Sequence, residues 1–157
     1  MKVVIQTPRD FFDLIVTPDV NDFVKSQGNI RFAFHACMSL DHMRDWVANF
    51  LGIGIGSFSD DVYKMCPAVE VIRNISVNAK HFPPTRAPVI TTMVSAKPIS
   101  IDAITVSIDD MLGTLDDYGA GLQVIAKEPG RSDDHVLLLV NEVFVFWRNY
   151  LSKHAGI

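Results

Sequence analysis

The spacing of the apolar residues changes twice along the chain. From Phe32 to Phe50 they recur at steps of three and four, which is the spacing of one face of an α-helix. From Ala87 to Glu128 β-branched residues alternate with polar ones, as they do in half-buried strands, and after Asp134 the helical spacing returns. We therefore predict an α+β fold: a helical bundle of about four main helices, with a small antiparallel β meander inserted before the C-terminal helix.

Capping signals locate the first helices. Thr7 and Thr17 each precede a proline, and a capping residue followed by proline is typical of a helix start, so this segment should form two short helices or one kinked helix. Asn29 is a suitable cap for a long helix over residues 31 to 51. The predicted core residues of that helix are Phe32, Ala36, Leu40, Met43 and Val47.

A glycine-rich segment, GIGIGS, follows the long helix. It lacks the Lys-Ser/Thr pair of a phosphate-binding loop and does not follow a strand, so a plain loop is the better interpretation. The next helix is expected to begin near Asp60, whose carboxylate suits the positive end of a helix dipole. Pro67 predicts a kink or a restart of this helix.

Three β-rich runs lie between turn signals, namely PVITTMVS (88–95), ISIDAITVSID (99–109) and GLQVIAKEP (121–129). Short connections favour antiparallel pairing, so residues 88 to 127 should hold at least two paired antiparallel strands. The apolar segment after Asp134 predicts the last helix. A strand over 136–140 leading into a shorter helix is the alternative.

The size of the chain indicates one domain. A chain of 157 residues, 48% of them hydrophobic, is enough for one continuous core. We divide the domain 1–157 into helices over 7–82, a β segment over 87–128 and a C-terminal helix over 133–153. No apolar run approaches the ~20 residues of a bilayer span, and the N-terminal segment lacks the apolar region of a signal peptide. We expect a cytoplasmic protein without a membrane partner.

The charge and the cysteine content of the chain limit the kinds of ligand that it can bind. A net charge of −4 argues against an extended surface for duplex DNA, which needs many contacts from Lys and Arg to phosphates. Cys37 and Cys66 lie among apolar neighbours without metal-ligand spacing, so we expect free buried thiols. No cofactor and no metal site are predicted.

The strongest polar constellation is RNISVNAKHF, residues 73 to 82. On a regular helix Asn74, Asn78 and His81 would share one stripe, beside a cationic stripe of Arg73 and Lys80. An imidazole can transfer a proton, a guanidinium can stabilise phosphoryl charge and an amide can orient a substrate. The candidate catalytic residues are therefore Arg73, Asn74, Lys80 and His81; an ordinary solvated helix face is the alternative.

A second polar pair lies on the long helix. His42 and Asp45 are three residues apart and could share a metal or a hydrogen bond. His35 would lie about 10 Å from His42 along the axis, too far to bind the same ion. A packing histidine oriented by Asp45 is the favoured interpretation.

The segments FHACMSLDHMRDWV, CPAVEVIRNISVNAKHF and NEVFVFWRNYL resemble the HEPN (higher eukaryotes and prokaryotes nucleotide-binding) superfamily. That resemblance implies a helical bundle, often dimeric, whose active members are metal-independent ribonucleases with an Arg and a His on one helix. If the family's motif is matched to this sequence, Arg73 would be the family's Arg, Asn74 the polar residue that follows it, and His81 the catalytic His.

Two functional hypotheses follow. The spacing from Arg73 to His81 is longer than in the family's usual motif, which favours an accessory or interaction module without catalytic activity. The alternative is a metal-independent ribonuclease or nucleotide-binding protein, with RNA or a nucleotide as its ligand. We also expect a homodimer formed through helices, because several large aromatic residues offer more apolar surface than a short bundle of one chain easily covers. They are Trp46, Phe144, Phe146 and Trp147.

Overall fold

The structure is a computed structural model that describes residues 4–81, 84, 88–95, 123–130, 132–154 and 156. The helical segments are α1 (Pro8–Phe11), a π-helical segment (Phe12–Val16), α2 (Thr17–Lys25), α3 (Ile30–Leu51), α4 (Ile55–Met65), α5 (Ala68–Lys80) and α6 (Val136–Lys153). The strands are β1 (Thr91–Ser95), β2 (Gln123–Lys127) and β3 (Asp134–His135). The α+β class is confirmed, with helices predominating and a small antiparallel sheet preceding the last helix. The predicted strand over 99–109 lies outside the described residues.

The N-terminal helix begins where Thr7 predicts. The Thr7 hydroxyl accepts from the Asp10 backbone N–H, and the Asp10 carboxylate accepts from the Thr7 backbone N–H, which makes a complete capping box. Thr17 does not begin a second helix: it is itself helical and its N–H bonds the carbonyl of Phe12, five residues back, so the single-helix alternative is the correct one. This wider π turn lies just before Pro18, which has no N–H to continue the ladder. The chain therefore stays helical from α1 through α2.

Helix α3 is the centre of the bundle and contacts α2, α4, α5 and α6. The Asn29 side chain accepts from two backbone N–H groups at its start, and Gly52 ends it with a left-handed φ of 66°. The prediction of one helix over 31–51 is confirmed. Phe32 is half-buried against the core, and the other predicted core residues are fully buried: Ala36, Leu40, Met43 and Val47.

Helix α4 begins earlier than predicted, at Ile55 rather than near Asp60. The glycines on either side of Ile55 indicated a loop, but Phe58 and Val62 are buried and their packing stabilises a helix there. The restart at Pro67 is confirmed, since α4 ends at Met65 and α5 begins at Ala68.

The sheet has the order β1-β2-β3, and both strand pairs are antiparallel. Thr91 pairs with Lys127, and Ile125 pairs with His135. The prediction of two paired antiparallel strands within 88–127 is confirmed. Helix α6 begins directly after β3, so the helical interpretation of 136–140 is correct and the strand alternative is wrong.

The core is continuous from the N-terminal helix to α6, and β2 contributes Val124 and Ala126 to it. Cys37 and Cys66 are free and buried, as expected. Among the described residues, no helix has both the length and the apolar character needed to cross a membrane.

Candidate functional site

Arg73 and Asn74 lie next to each other on α5 and contact each other. The Arg73 guanidinium donates through Nη1 to Asn74 Oδ1 at 3.2 Å, and the Asn74 side chain is buried. Arg73 also lies near Tyr63 of α4. Burial raises the pKa of the Tyr63 phenol, and the positive charges of Arg44 and Arg73 partly offset that rise. Arg73 therefore faces the junction of α4 and α5.

Asn78 has a structural task. Its Nδ2 donates to the carbonyl oxygens of Asn74 and Pro88, each at 2.8 Å, and its Oδ1 accepts from the Ile90 backbone N–H at 3.0 Å. The two bonds to Pro88 and Ile90 connect α5 to the segment that leads into β1. The side chain is thus engaged within the fold and does not face a ligand.

His81 lies beyond the end of α5. Its backbone is extended, with φ −134° and ψ 126°, although its N–H still bonds the carbonyl of Val77. The stripe predicted for Asn74, Asn78 and His81 therefore stops at Asn78. The imidazole is exposed, and within the described part of the chain no hydrogen bond or ion pair joins His81 to Arg73.

Lys80 contacts a histidine on a different helix. Its Nζ lies 3.3 Å from His42 Nε2, and His42 Nδ1 lies 3.3 Å from Asp45 Oδ2. An ammonium group can only donate, so Nε2 accepts and Nδ1 carries the proton that His42 donates to the carboxylate. The His42 and Asp45 side chains are about half exposed. We call this arrangement the Lys80–His42–Asp45 chain; it confirms the predicted orientation of His42 by Asp45.

The Lys80–His42–Asp45 chain lies at the edge of an open groove between the N-terminal helix and α3. The groove has a volume of about 320 Å³, and its apolar walls include Phe11, Ile15 and Met38. Phe11 also stacks on the Trp46 ring of α3, with centroids 5.0 Å apart. A ligand can therefore reach His42 and Lys80 from solvent.

A second polar cluster is buried between α3 and α4 and was not predicted. Arg44 donates to the Asp41 carboxylate and, at 2.7 Å, to the Ser59 hydroxyl. Its guanidinium lies over the Tyr63 ring, 5.4 Å from the centroid. Because Asp41 and Arg44 are only 6% and 7% exposed, the cluster holds α4 against α3 and does not present charges to a ligand. The spacing of Asp41 and Arg44 was visible in the sequence, but their burial was not.

The described residues include no group of three or more His, Cys, Asp or Glu side chains able to hold a metal ion. His42 and Asp45 form a pair of ligand-type groups. Within the described chain, the third group in contact with them is the ammonium of Lys80, which repels a cation.

The turn between α3 and α4 exposes a cluster of large apolar side chains. Each is 42% to 45% exposed, and no charged residue occurs between positions 50 and 59. A Cβ added at Gly52 or Gly56 would meet no heavy atom within 4 Å, so the backbone is open there. We call this surface the apolar tip; its residues are Phe50, Leu51, Ile53 and Ile55.

The aromatic residues proposed from the sequence for a dimer surface are mostly covered by the chain itself. Trp147 and Phe144 are buried in the core, while Trp46 and Phe146 are half-buried. The homodimer stays a prediction, but its expected surface moves from these rings to the apolar tip.

The comparisons with known proteins find no matching family model, no matching curated protein and no matching solved structure. The function is therefore inferred from the geometry of the chain.

Proposed function

We propose that the protein is an interaction module that self-associates through the apolar tip, in the manner of a HEPN-like accessory protein without catalytic activity. The observation that carries this proposal is the exposure of four large apolar side chains within the six residues from Phe50 to Ile55. Contiguous exposed apolar surface on a folded domain typically marks an interaction site.

A second copy of the chain is the partner that the tip suits best. In a two-fold symmetric dimer the same surface meets itself, so a charge near the symmetry axis would face an equal charge. The tip avoids this repulsion because residues 50 to 59 are uncharged, although the chain has a net charge of −4. The open backbone at Gly52 and Gly56 lets a second chain approach closely.

The arrangement on α5 supports a role without catalysis. Arg73 is bonded to Asn74, Asn78 connects the helix to the segment before β1, and His81 lies beyond the helix end. The residues proposed for phosphoryl chemistry are thus divided among separate contacts. An interaction module needs no convergence of these groups.

Sedimentation equilibrium at micromolar concentration tests the self-association. We expect the wild-type chain to sediment at about twice 17.5 kDa. Replacing Phe50 and Ile53 by Ser removes apolar contact from the tip and should give a monomer. Leu14→Ser is the matched control, since Leu14 is 45% exposed but lies outside the tip. A monomeric wild type, or a dimer that survives Phe50→Ser/Ile53→Ser, contradicts the proposal.

A second candidate function is metal-independent RNA cleavage, favoured by the Lys80–His42–Asp45 chain. An incoming phosphate would attract the Lys80 ammonium and leave His42 Nε2 able to accept a proton. The base would take the proton of the ribose 2′-hydroxyl as its oxygen attacks phosphorus, and the 5′-oxygen would leave with a proton from an acid such as the His81 imidazolium. Lys80 would stabilise the charge of this phosphate, and Arg73, two helical turns away on α5, would bind a neighbouring phosphate of the RNA.

Cleavage of a fluorescent RNA in the presence of EDTA tests this candidate. A catalytic acid or base contributes about 10² to 10⁴ in rate, so both His42→Gln and His81→Gln should lower the rate by such factors. His154→Gln is the control, because this exposed histidine follows the end of α6, away from both groups of candidate residues. Arg73→Ala should also reduce cleavage. Loss in the His81 and Arg73 variants alone would assign the chemistry to these two residues without His42, and no cleavage by the wild type would eliminate the candidate.

A further inference from the structure

We propose that the cavity between the end of α4 and the last turns of α6 binds a small planar aromatic carboxylate. The cavity has a volume of about 500 Å³, within the range of about 300 to 1,000 Å³ that is typical of small-molecule sites. It is separate from the apolar tip and from the Lys80–His42–Asp45 chain. Its lining residues are Met65, Phe146, Asn149, Tyr150, Lys153 and His154.

Aromatic rings form one wall of this cavity. Phe146 and Tyr150 are four residues apart on α6, so their side chains lie on one face of the helix, and His154 is the first residue beyond the helix end. The Tyr150 and His154 rings stack at 4.2 Å with an interplanar angle of 21°. The Met65 side chain, which is 56% exposed, also lines the cavity, and a thioether makes favourable contacts with aromatic rings. A flat apolar ligand can contact both the rings and the sulfur.

The polar side of the cavity favours a negative charge. Lys153 has no ion-pair partner among the described residues, and it is one helical turn from Asn149, so both residues lie on the same face of α6. His154 Nδ1 donates to the Tyr150 carbonyl oxygen at 2.8 Å, so this nitrogen is engaged within the fold and Lys153 is the residue that would hold the anion. The lining residues include no Asp or Glu, so a cationic ligand would meet Lys153 without a counter-charge.

The carboxyl end of α6 does not prevent anion binding. A helix C-terminus carries about half a negative charge, whereas the Lys153 ammonium carries a full positive charge. The Tyr150 carbonyl already accepts a hydrogen bond from His154. The local field at the cavity therefore remains suitable for a carboxylate, which can form charge-assisted hydrogen bonds with Lys153.

Saturation-transfer NMR titrations of the full chain with 2-naphthoate test the site. We expect saturable binding of 2-naphthoate, with at least tenfold weaker binding of the neutral 2-naphthamide and of the non-planar cyclohexanecarboxylate. Lys153→Gln should weaken 2-naphthoate binding at least tenfold. Lys64→Gln is the matched control: it removes the same charge from an exposed residue beside Met65 that does not line the cavity, and it should leave the affinity unchanged.

The aromatic wall is tested separately. Tyr150→Leu should weaken binding of 2-naphthoate, whereas Tyr150→Phe, which keeps the ring, should not. Absence of saturable binding, equal binding of the acid and the amide, or full affinity in Lys153→Gln would overturn the proposal. The apolar-tip variant Phe50→Ser/Ile53→Ser should bind 2-naphthoate like the wild type, so this result is independent of self-association.

Discussion

Asp41 and Arg44 are charged side chains that lie almost wholly inside the bundle. Removing an ion from water costs several kcal/mol of solvation free energy. The protein regains it only when the buried ion has a partner of opposite charge and its remaining polar atoms are hydrogen-bonded. Arg44 has such partners in Asp41, in the Ser59 hydroxyl and in the Tyr63 ring. Each member of this cluster therefore depends on the others.

Asp41→Asn should lower the free energy of unfolding by about 3 to 5 kcal/mol, because it leaves the buried Arg44 charge uncompensated. Urea denaturation measures the change. The double variant Asp41→Asn/Arg44→Met should regain most of the loss, since no buried charge remains. Asp61→Asn is the control: its carboxylate pairs with Lys64 at the surface, and the cost should stay below about 1 kcal/mol. Equal costs for Asp41→Asn and Asp61→Asn would contradict a structural role for the buried pair.

Cys66 should be a slowly reacting thiol whose ionisation opposes folding at high pH. Burial, together with the nearby negative charge of Glu142, raises its pKa from 9.0 to about 11. Between these values the unfolded chain loses the thiol proton while the folded chain keeps it, so this group's contribution to stability falls as the pH rises from 9 to 11.

Alkylation by iodoacetamide, followed by mass spectrometry against pH, tests this behaviour of Cys66. Glu142→Gln removes the negative charge beside Cys66, whose effect on the pKa is smaller than that of burial, and should lower the pKa of Cys66. More thiolate is then present below pH 11, so the rate of alkylation should rise there. Cys37 is the internal control: it is fully buried, burial raises its pKa further, and it should react only after unfolding. Rapid alkylation of Cys66 at neutral pH would be inconsistent with its burial.

At the scale of elements, Asn78 connects α5 to the segment before β1 through two hydrogen bonds, and a third joins its side chain to the Asn74 carbonyl within α5. Asn78→Ala should lower the free energy of unfolding by about 1 to 3 kcal/mol, because each bond contributes about 1 kcal/mol. Asn49→Ala, at an exposed position on α3, is the control and should have little effect. Equal stability of the two variants in urea denaturation would show that the connection is unimportant.

The sequence correctly predicted those helices and strands in which the spacing of apolar residues, the capping residues and the packing in the core all indicate the same structure. Helix α3 has a sustained apolar period, an Asn29 cap and a Gly52 terminator, and its bounds followed directly. Thr17 shows the limit of such signals. It has the same Thr-Pro pattern as Thr7, but Val16 and Val20 are buried on either side of it, so core packing keeps the chain helical.

The candidate site was predictable only where its residues lie on one helix. The contacts between Arg73 and Asn74 and between His42 and Asp45 follow from short spacings along α5 and α3. The contact of Lys80 with His42 spans 38 positions and depends on how α5 packs against α3, which no local pattern reveals. His81 was misplaced because the helix was extended one residue too far.

At the scale of the whole molecule, aromatic contacts join the first helix to the last. The Phe12 ring stacks on Phe144 with centroids 4.8 Å apart, and Trp147 lies beside Phe58 of α4 at 6.4 Å. These residues belong to one continuous core, which also includes residues of α3 and α5. The N-terminal helix is therefore an integral part of the bundle.

The described helices should unfold as a single cooperative unit. The chain has two tryptophans, and replacing one lets the fluorescence of the other be observed alone. The Trp147→Phe variant reports on Trp46, which stacks on Phe11. The Trp46→Phe variant reports on Trp147, which is buried in the core. Within each variant, the urea midpoint from fluorescence should coincide with that from far-UV circular dichroism.

Removing the link between the first and last helices provides the stronger test of this cooperativity. Phe12→Ala should cost about 3 to 5 kcal/mol, because it leaves a cavity against Phe144, and in each tryptophan variant it should lower both midpoints together. Leu14→Ala, at an exposed position two residues away, is the control and should shift them little. If Trp46 fluorescence changed at a lower urea concentration than the circular dichroism, the N-terminal helix would be a separate unit. The core shared by Phe12 and Phe144 predicts one transition, because neither helix can leave it without exposing the other.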